Sequence, residues 1–278
     1  MYAKCAWKKY SSSDLEQVFK FNEEYKDYIT KGKTERLCVD EAVKISEGYG
    51  FKPLSSYDKL NPGDKVYVTN KGKNIACFVI GDKPVEEGLR VLGAHIDSPR
   101  IDIKQNPLYE KNGFALLDAH YYGGIKKYQW VTIPLALHGV VCKKDGTIIN
   151  VCIGEDEKDP VLGISDLLIH LSADQMQKPG AKVIEGEDLD LTLGNMPLEG
   201  EEKDAVKANV LKLLKEKYDF EEEDFISAEL EIVPAGPARD YGLDRSMVAG
   251  YGHDDRVCAY TSLRAVLDAG KCEYTTCA

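Results

Sequence analysis

Two short segments carry side chains able to do chemistry. In His95-Ile96-Asp97-Ser98-Pro99 a histidine stands two residues before a carboxylate. One imidazole nitrogen can bind a metal only if the other has an acceptor to fix the tautomer, and a carboxylate commonly supplies it. Asp97 is either that partner or a looser orienting charge. In Gly252-His253-Asp254-Asp255-Arg256 an aspartate sits where a strand gives way to a helix. There its two oxygens can bridge a pair of divalent ions, or it can simply cap the helix. Asp255 is read as a supporting or capping residue and His253 as a neighbour. His170, in the apolar run DLLIHL, is on these grounds alone a packed core histidine, and His120 and His138 are structural. No HExxH zinc helix, phosphate-binding P-loop, dinucleotide glycine pattern or GxSxG elbow occurs. Serine-hydrolase and nucleotide-binding chemistry therefore have no support.

These residues need a scaffold that brings two distant segments together. Residues 14–31 read as a helix with a charged outer face, and Thr34 is placed to cap a second helix that stops at Gly48. Residues 64–69 and 74–80 read as strands around the turn Asn70-Lys71-Gly72-Lys73. Residues 88–94 (GLRVLGA) read as a buried strand ending at His95. Open α/β sheets hold functional residues just past the carboxyl ends of their strands. From residue 101 to about 235 short apolar runs suggest strands, with a helix expected over 161–171, an amphipathic helix over 205–218 and a half-buried strand over 226–233. The Pro- and Gly-rich stretch after it reads as a plain connection. Asp254 opens a last helix that stops at Gly270, and 271–278 begins another strand, expected to run parallel to 88–94.

The chain has 278 residues, 43% of them hydrophobic, enough for a sizeable core. Its net charge of -11 repels phosphate backbones and argues against a nucleic-acid partner. No stretch is long and apolar enough to cross a membrane, and the start lacks an apolar signal core. Eight cysteines without zinc-knuckle or redox spacing fit a reducing cytoplasm.

Taken together and in order, five segments resemble the aspartyl aminopeptidase (M18) family. GAHIDSPR (93–100) resembles its AHxDSP signature, and KGKTERLCV (31–39) its SKTERE-type segment. YYGGIKKYQW (121–130) is similar to its YGGG-W segment, DLLIHL (166–171) to its IHL helix, and GHDDRVCAYTSLRAV (252–266) to its LDNR-like junction. The resemblance implies a three-layer α/β/α zinc-peptidase-like catalytic domain interrupted by a β-rich dimerisation domain. It divides the chain into a first catalytic part (1–100), the inserted domain (101–235) and a second, incomplete catalytic part (236–278).

The resemblance also implies roles. His95 matches a zinc-binding histidine, Asp254 the aspartate that bridges both metals, and Asp97 the carboxylate beside the metal histidine. Asp255 stands where the family usually has Asn. His170 matches a histidine that reaches a neighbouring subunit's active site, as a substrate contact or a metal ligand. The implied activity is release of N-terminal residues from peptides, acidic ones in some relatives, with two zinc ions (cobalt possible) per complete subunit. Dimers assembling to a dodecamer are implied as well. The family's Glu-Glu pair, later Asp and last histidine have no counterpart here, so the chain is expected to stop short of a complete centre and to be inactive alone. A non-catalytic assembly subunit and another two-metal hydrolase on a related fold are the rival readings.

Overall fold

The computed structural model describes residues 5–278. The chain forms two compact units, Met1–Ser98 with Pro237–Ala278, and Pro99–Gly236.

The first unit opens with two helices whose starts are written in their sequences. α1 (Ser12–Lys31) begins with a reciprocal cap in which the Ser11 main-chain N–H donates to Asp14 Oδ2 (2.8 Å) and the Asp14 N–H to Ser11 Oγ (3.2 Å). Its buried Tyr25, Tyr28 and Ile29 recur at helical spacing and form the inward face. α2 (Glu35–Gly48) starts where Thr34 Oγ1 accepts from the Leu37 N–H (3.3 Å). It buries Cys38, Val39, Ala42 and Ser46. β1 (Lys52–Pro53), β2 (Lys65–Asn70), β3 (Asn74–Val79) and β4 (Arg90–Val91) follow. The β2–β3 turn needs left-handed backbone at Lys71 (φ 53°) and Gly72 (φ 66°), which is why a glycine ends up there.

Residues 88–94 do not form the buried strand expected. β4 is two residues long and exposed, with Val91 at 65%. It is an end strand of its sheet, hydrogen-bonded to one neighbour only, so its side chains have little to pack against.

The second unit is built on one seven-stranded antiparallel sheet. Its strands are β5 (Arg100–Lys111), β6 (Phe114–Tyr122), β7 (Leu135–Cys142), β8 (Ile148–Ile153), β9 (Gly163–Ile164), β10 (Leu191–Gly194) and β11 (Ala228–Pro234). Their order is β8-β7-β11-β5-β6-β10-β9. β11 lies inside the sheet, so Leu230 through Val233 are all buried, Glu231 included, and the half-buried alternation expected there is replaced by burial on both faces. One short helix, α3 (Lys127–Trp130), and one long one, α4 (Ala205–Tyr218), accompany the sheet. α4 is not capped by its own Asp204. Glu110 of β5 accepts from the Val206 (2.9 Å) and Lys207 (3.1 Å) main-chain N–H groups instead.

The helix expected over 161–171 is absent. Gly163–Ile164 is strand β9 and Ile169–Leu171 a single 3-10 turn. Leu167, Leu168, Ile169 and Leu171 are all more than half exposed, so no tertiary face supports a helix there.

The chain returns to the first unit through β12 (Arg239–Tyr241) and β13 (Met247–Ala249), a two-stranded hairpin where a plain connection was expected. α5 (His253–Leu267) and β14 (Thr276–Cys277) complete it. β14 inserts between β3 and β4, antiparallel to the first and parallel to the second, in a mixed sheet of order β1-β2-β3-β14-β4. Phe51, Tyr67, Cys77 and Val79 pack with Leu263, Val266 and Leu267 of α5 as its core. No helix among the described residues is long and apolar enough to cross a membrane.

Candidate metal site

His95 lies four residues beyond β4, in an irregular segment that runs to Ser98. Asp254 lies at the start of α5, with non-helical backbone (φ -91°, ψ 111°) that turns it away from the regular helix. The fold brings the two together, with His95 Nε2 3.3 Å from Asp254 Oδ1. His95 Nδ1 faces Asp97, at 2.9 Å from its main-chain oxygen and 3.1 Å from its Oδ1. Both contacts are acceptors, so a proton belongs on Nδ1, and the Asp254 carboxylate offers Nε2 an acceptor as well, for its proton or for a cation bound in that proton's place. A proton held on Nδ1 is what a metal-binding histidine needs.

The pair is open to solvent, with side-chain exposures of 52% for His95 and 89% for Asp254. What burial there is acts to lower the His95 pKa. The Asp97 hydrogen bond and the charges of Asp97, Asp255 and Asp254 outweigh it and hold the imidazole above its ordinary value. The same negative field favours a cation, and protons compete with that cation at acid pH.

Two residues that sequence reasoning did not single out hold these segments. Ser98, 2% exposed, donates from Oγ to the Asp254 main-chain oxygen at 2.8 Å. Arg256, 1% exposed, donates from Nε to the Ile96 oxygen (2.8 Å) and from Nη2 to the Lys33 oxygen (3.2 Å). The Tyr251 ring lies 5.3 Å from its guanidinium. Room for that guanidinium depends on Gly252. A Cβ there would stand 2.3 Å from Arg256 Nη1, and the backbone is left-handed at φ +84°. A glycine four residues before an arginine was the one signal available, and it is a weak one. His253 is tied to the Tyr25 hydroxyl through Nδ1 at 2.8 Å, and Asp255 faces the Cys258 thiol.

The other histidines sit elsewhere. His170 is exposed on the 3-10 turn of the second unit, not in a packed core. His120 is exposed with Nδ1 2.8 Å from the Tyr121 oxygen, and His138 is buried with Nε2 2.9 Å from Glu155 Oε1.

A nitrogen and a carboxylate oxygen facing one another, with the other ring nitrogen held by Asp97, fit two ligands of a zinc site. A complete catalytic zinc site uses three protein ligands and water. Among the described residues no group of three or more His, Cys, Asp or Glu side chains is arranged to hold a metal ion. The fit is thus to part of a centre.

Comparison with known proteins shows the family and the fold. The sequence model of the family described as aminopeptidase I zinc metalloprotease (M18) matches residues 28–276. A probable M18 family aminopeptidase 1 of Clostridium acetobutylicum is 58% identical over 270 residues, which are 95% of this chain and 58% of that protein. The crystal structure of the M18 family aminopeptidase from Thermotoga maritima superposes with a TM-score of 0.94 at 46% identity, covering 100% of this chain and 60% of that one. That of aminopeptidase I from Clostridium acetobutylicum gives 0.90 at 53% identity, covering 99% and 61%. The mixed α/β fold is that of these structures. The chain spans about three fifths of the length of the relatives it matches.

Proposed function

This chain belongs to the M18 family of aminopeptidase I zinc metalloproteases, and on that premise we propose that it supplies part of the metal centre of an enzyme that removes single residues from the free N-termini of peptides. The observation that carries the proposal is the facing pair of His95 Nε2 and Asp254 Oδ1, with Asp97 holding the other imidazole nitrogen.

In this reading His95 and Asp254 are metal ligands, and the exposed carboxylate of Asp254 has two oxygens with which it could serve two ions. Asp97 keeps His95 in its binding tautomer. Zinc ions, two in the complete centre and with cobalt as a substitute, would polarise the scissile carbonyl and make the attacking water more acidic. Two ligands bind zinc weakly, so the chain by itself is expected to hold the metal poorly and to turn over little substrate. Whether acidic N-terminal residues are preferred is a matter for the same assay.

We further propose self-association through the second unit, as a homo-oligomer built from dimers up to a dodecamer. Leu167, Leu168, Ile169 and Leu171 leave more than half of their surface in water around His170, which supports a covered face there. His170 would then meet a neighbour's substrate or metal. All eight cysteines are free thiols, which supports a cytoplasmic setting.

The test is hydrolysis of peptides with free and with N-acetylated termini, by the protein holding this chain, with zinc supplied and then chelated. Zinc-dependent cleavage of the free termini alone is expected. Cleavage of acetylated peptides would point to another two-metal hydrolase. Inertness toward both, in a zinc-loaded oligomer, would favour a non-catalytic assembly subunit.

A further inference from the structure

Three segments meet at the candidate site, and the cation donors lie on only two of them. His95 and Asp97 stand in the irregular run after β4, Asp254 at the start of α5. Neither run is held by regular hydrogen bonding of its own. Residues 93–99 belong to no strand, and the backbone of Asp254 and Asp255 departs from the helix. Two exposed side chains on such segments would drift relative to each other unless something tied the main chains.

The ties are buried and specific. The Ser98 hydroxyl bonds the main-chain oxygen of Asp254 itself, three residues after His95 on one side and at the ligand residue on the other. The Arg256 guanidinium, two residues after Asp254, bonds the main-chain oxygen of Ile96, which lies between His95 and Asp97. It also reaches the Lys33 oxygen just ahead of α2, fixing both runs to the helical layer. An arginine is suited to this because its planar fork donates in several directions while staying charged. Removing a buried donor leaves its carbonyl partner unsatisfied, so the ties are not easily exchanged for water.

We propose that Ser98 and Arg256 are positioning residues that set the separation of the His95 imidazole and the Asp254 carboxylate, and through it the affinity for a divalent cation. The inference rests on the metal reading given above. Neither side chain touches the cation. Each acts through the backbone of a ligand-bearing run, one at Asp254 and one at Ile96, and the two ties cross the same gap. Gly252 belongs to the device because a side chain there would occupy the place of the Arg256 guanidinium.

The experiment is a zinc titration of the metal-free chain followed in the imidazole C–H region of carbon–proton NMR spectra. The sequence has five histidines, so each ring can be assigned by single substitution. The variants are Ser98→Ala, Arg256→Lys and His95→Ala, each with a thermal unfolding curve. The His138 ring signal serves as an internal check on the second unit. In the unmodified chain the His95 ring is expected to shift on zinc addition. In Ser98→Ala the apparent affinity read at His95 should fall about 10-fold, the scale seen for partners that orient a ligand, with unfolding little changed. Arg256→Lys should show a loss at least as large. An affinity in folded Ser98→Ala within twofold of the unmodified chain, while His95→Ala removes the response, overturns the positioning role and leaves the metal site standing. If the His95 ring of the unmodified chain ignores zinc altogether, the metal reading fails and the positioning role with it. Should Arg256→Lys not fold, Ser98→Ala still decides the matter.

Discussion

Buried His138 pairs with partly buried Glu155, Nε2 to Oε1 at 2.9 Å, in a sheet whose neighbouring strands put Cys152 and Glu231 directly across from His138. Burial alone would lower the pKa of this imidazole. The Cys152 and Glu155 side chains outweigh burial and push it up to about 9. A folded-state value above the unfolded one, ~6.5, means stabilisation that is full below that unfolded value. It is lost as pH rises through about 9. Denaturant midpoints of the native chain should therefore fall across that window. His138→Gln should start lower and fall less, the two curves converging toward alkaline pH. Parallel curves for the two proteins would show that His138 is not the group responsible.

Asp97 is expected to matter to metal binding without being a ligand. Asp97→Ala removes the carboxylate from His95 Nδ1, leaving it the main-chain oxygen of residue 97, and should weaken zinc binding by about 10-fold, the lower end of what loss of such a partner costs. In the active enzyme His95→Ala should abolish turnover, and His120→Ala, on an exposed histidine with a main-chain contact of its own, should not. Full activity in zinc-saturated His95→Ala would remove the centre of the functional proposal.

Gly252→Ala should be costly for two separable reasons. The left-handed backbone alone disfavours a side chain by about 1–2 kcal/mol. The new Cβ would also press on the Arg256 guanidinium. Pairing it with Arg256→Lys in a double-mutant cycle is informative. If the clash is real, the two losses are strongly non-additive. Simple addition would leave only the backbone penalty.

His170 is proposed to act on a neighbouring copy. Oligomers mixed from His170→Ala and His95→Ala subunits should then regain activity, because some sites draw an intact member from each parent. Mixtures no more active than the two parents would show that His170 works within its own subunit or not at all.

What could be read from the chain follows from where the partner groups lie. Thr34 caps its helix with a contact three residues away, and the β2–β3 turn is complete within four residues, so local sequence was enough. His95 and Asp97 were legible for the same reason. Arg256 and Ser98 were not, because their acceptors are main-chain oxygens, which every residue has, on segments more than 150 positions away. Apolar composition misled twice. Residues 88–94 and 161–171 both looked destined for burial, yet Val91 and the leucines around His170 are exposed. Periodicity says that a face is apolar and is silent on what covers it.

The cap on α4 has a consequence for how the second unit comes apart. A helix that carries its own N-cap can persist when its surroundings loosen. α4 borrows Glu110 from β5, so the amides of Val206 and Lys207 are shielded only while that strand is in place. In native-state hydrogen exchange those two amides should follow the sheet's opening rather than the fraying of a helix end. The first turn of α4 and the far end of β5 are, in that sense, one cooperative unit split between two distant stretches of chain.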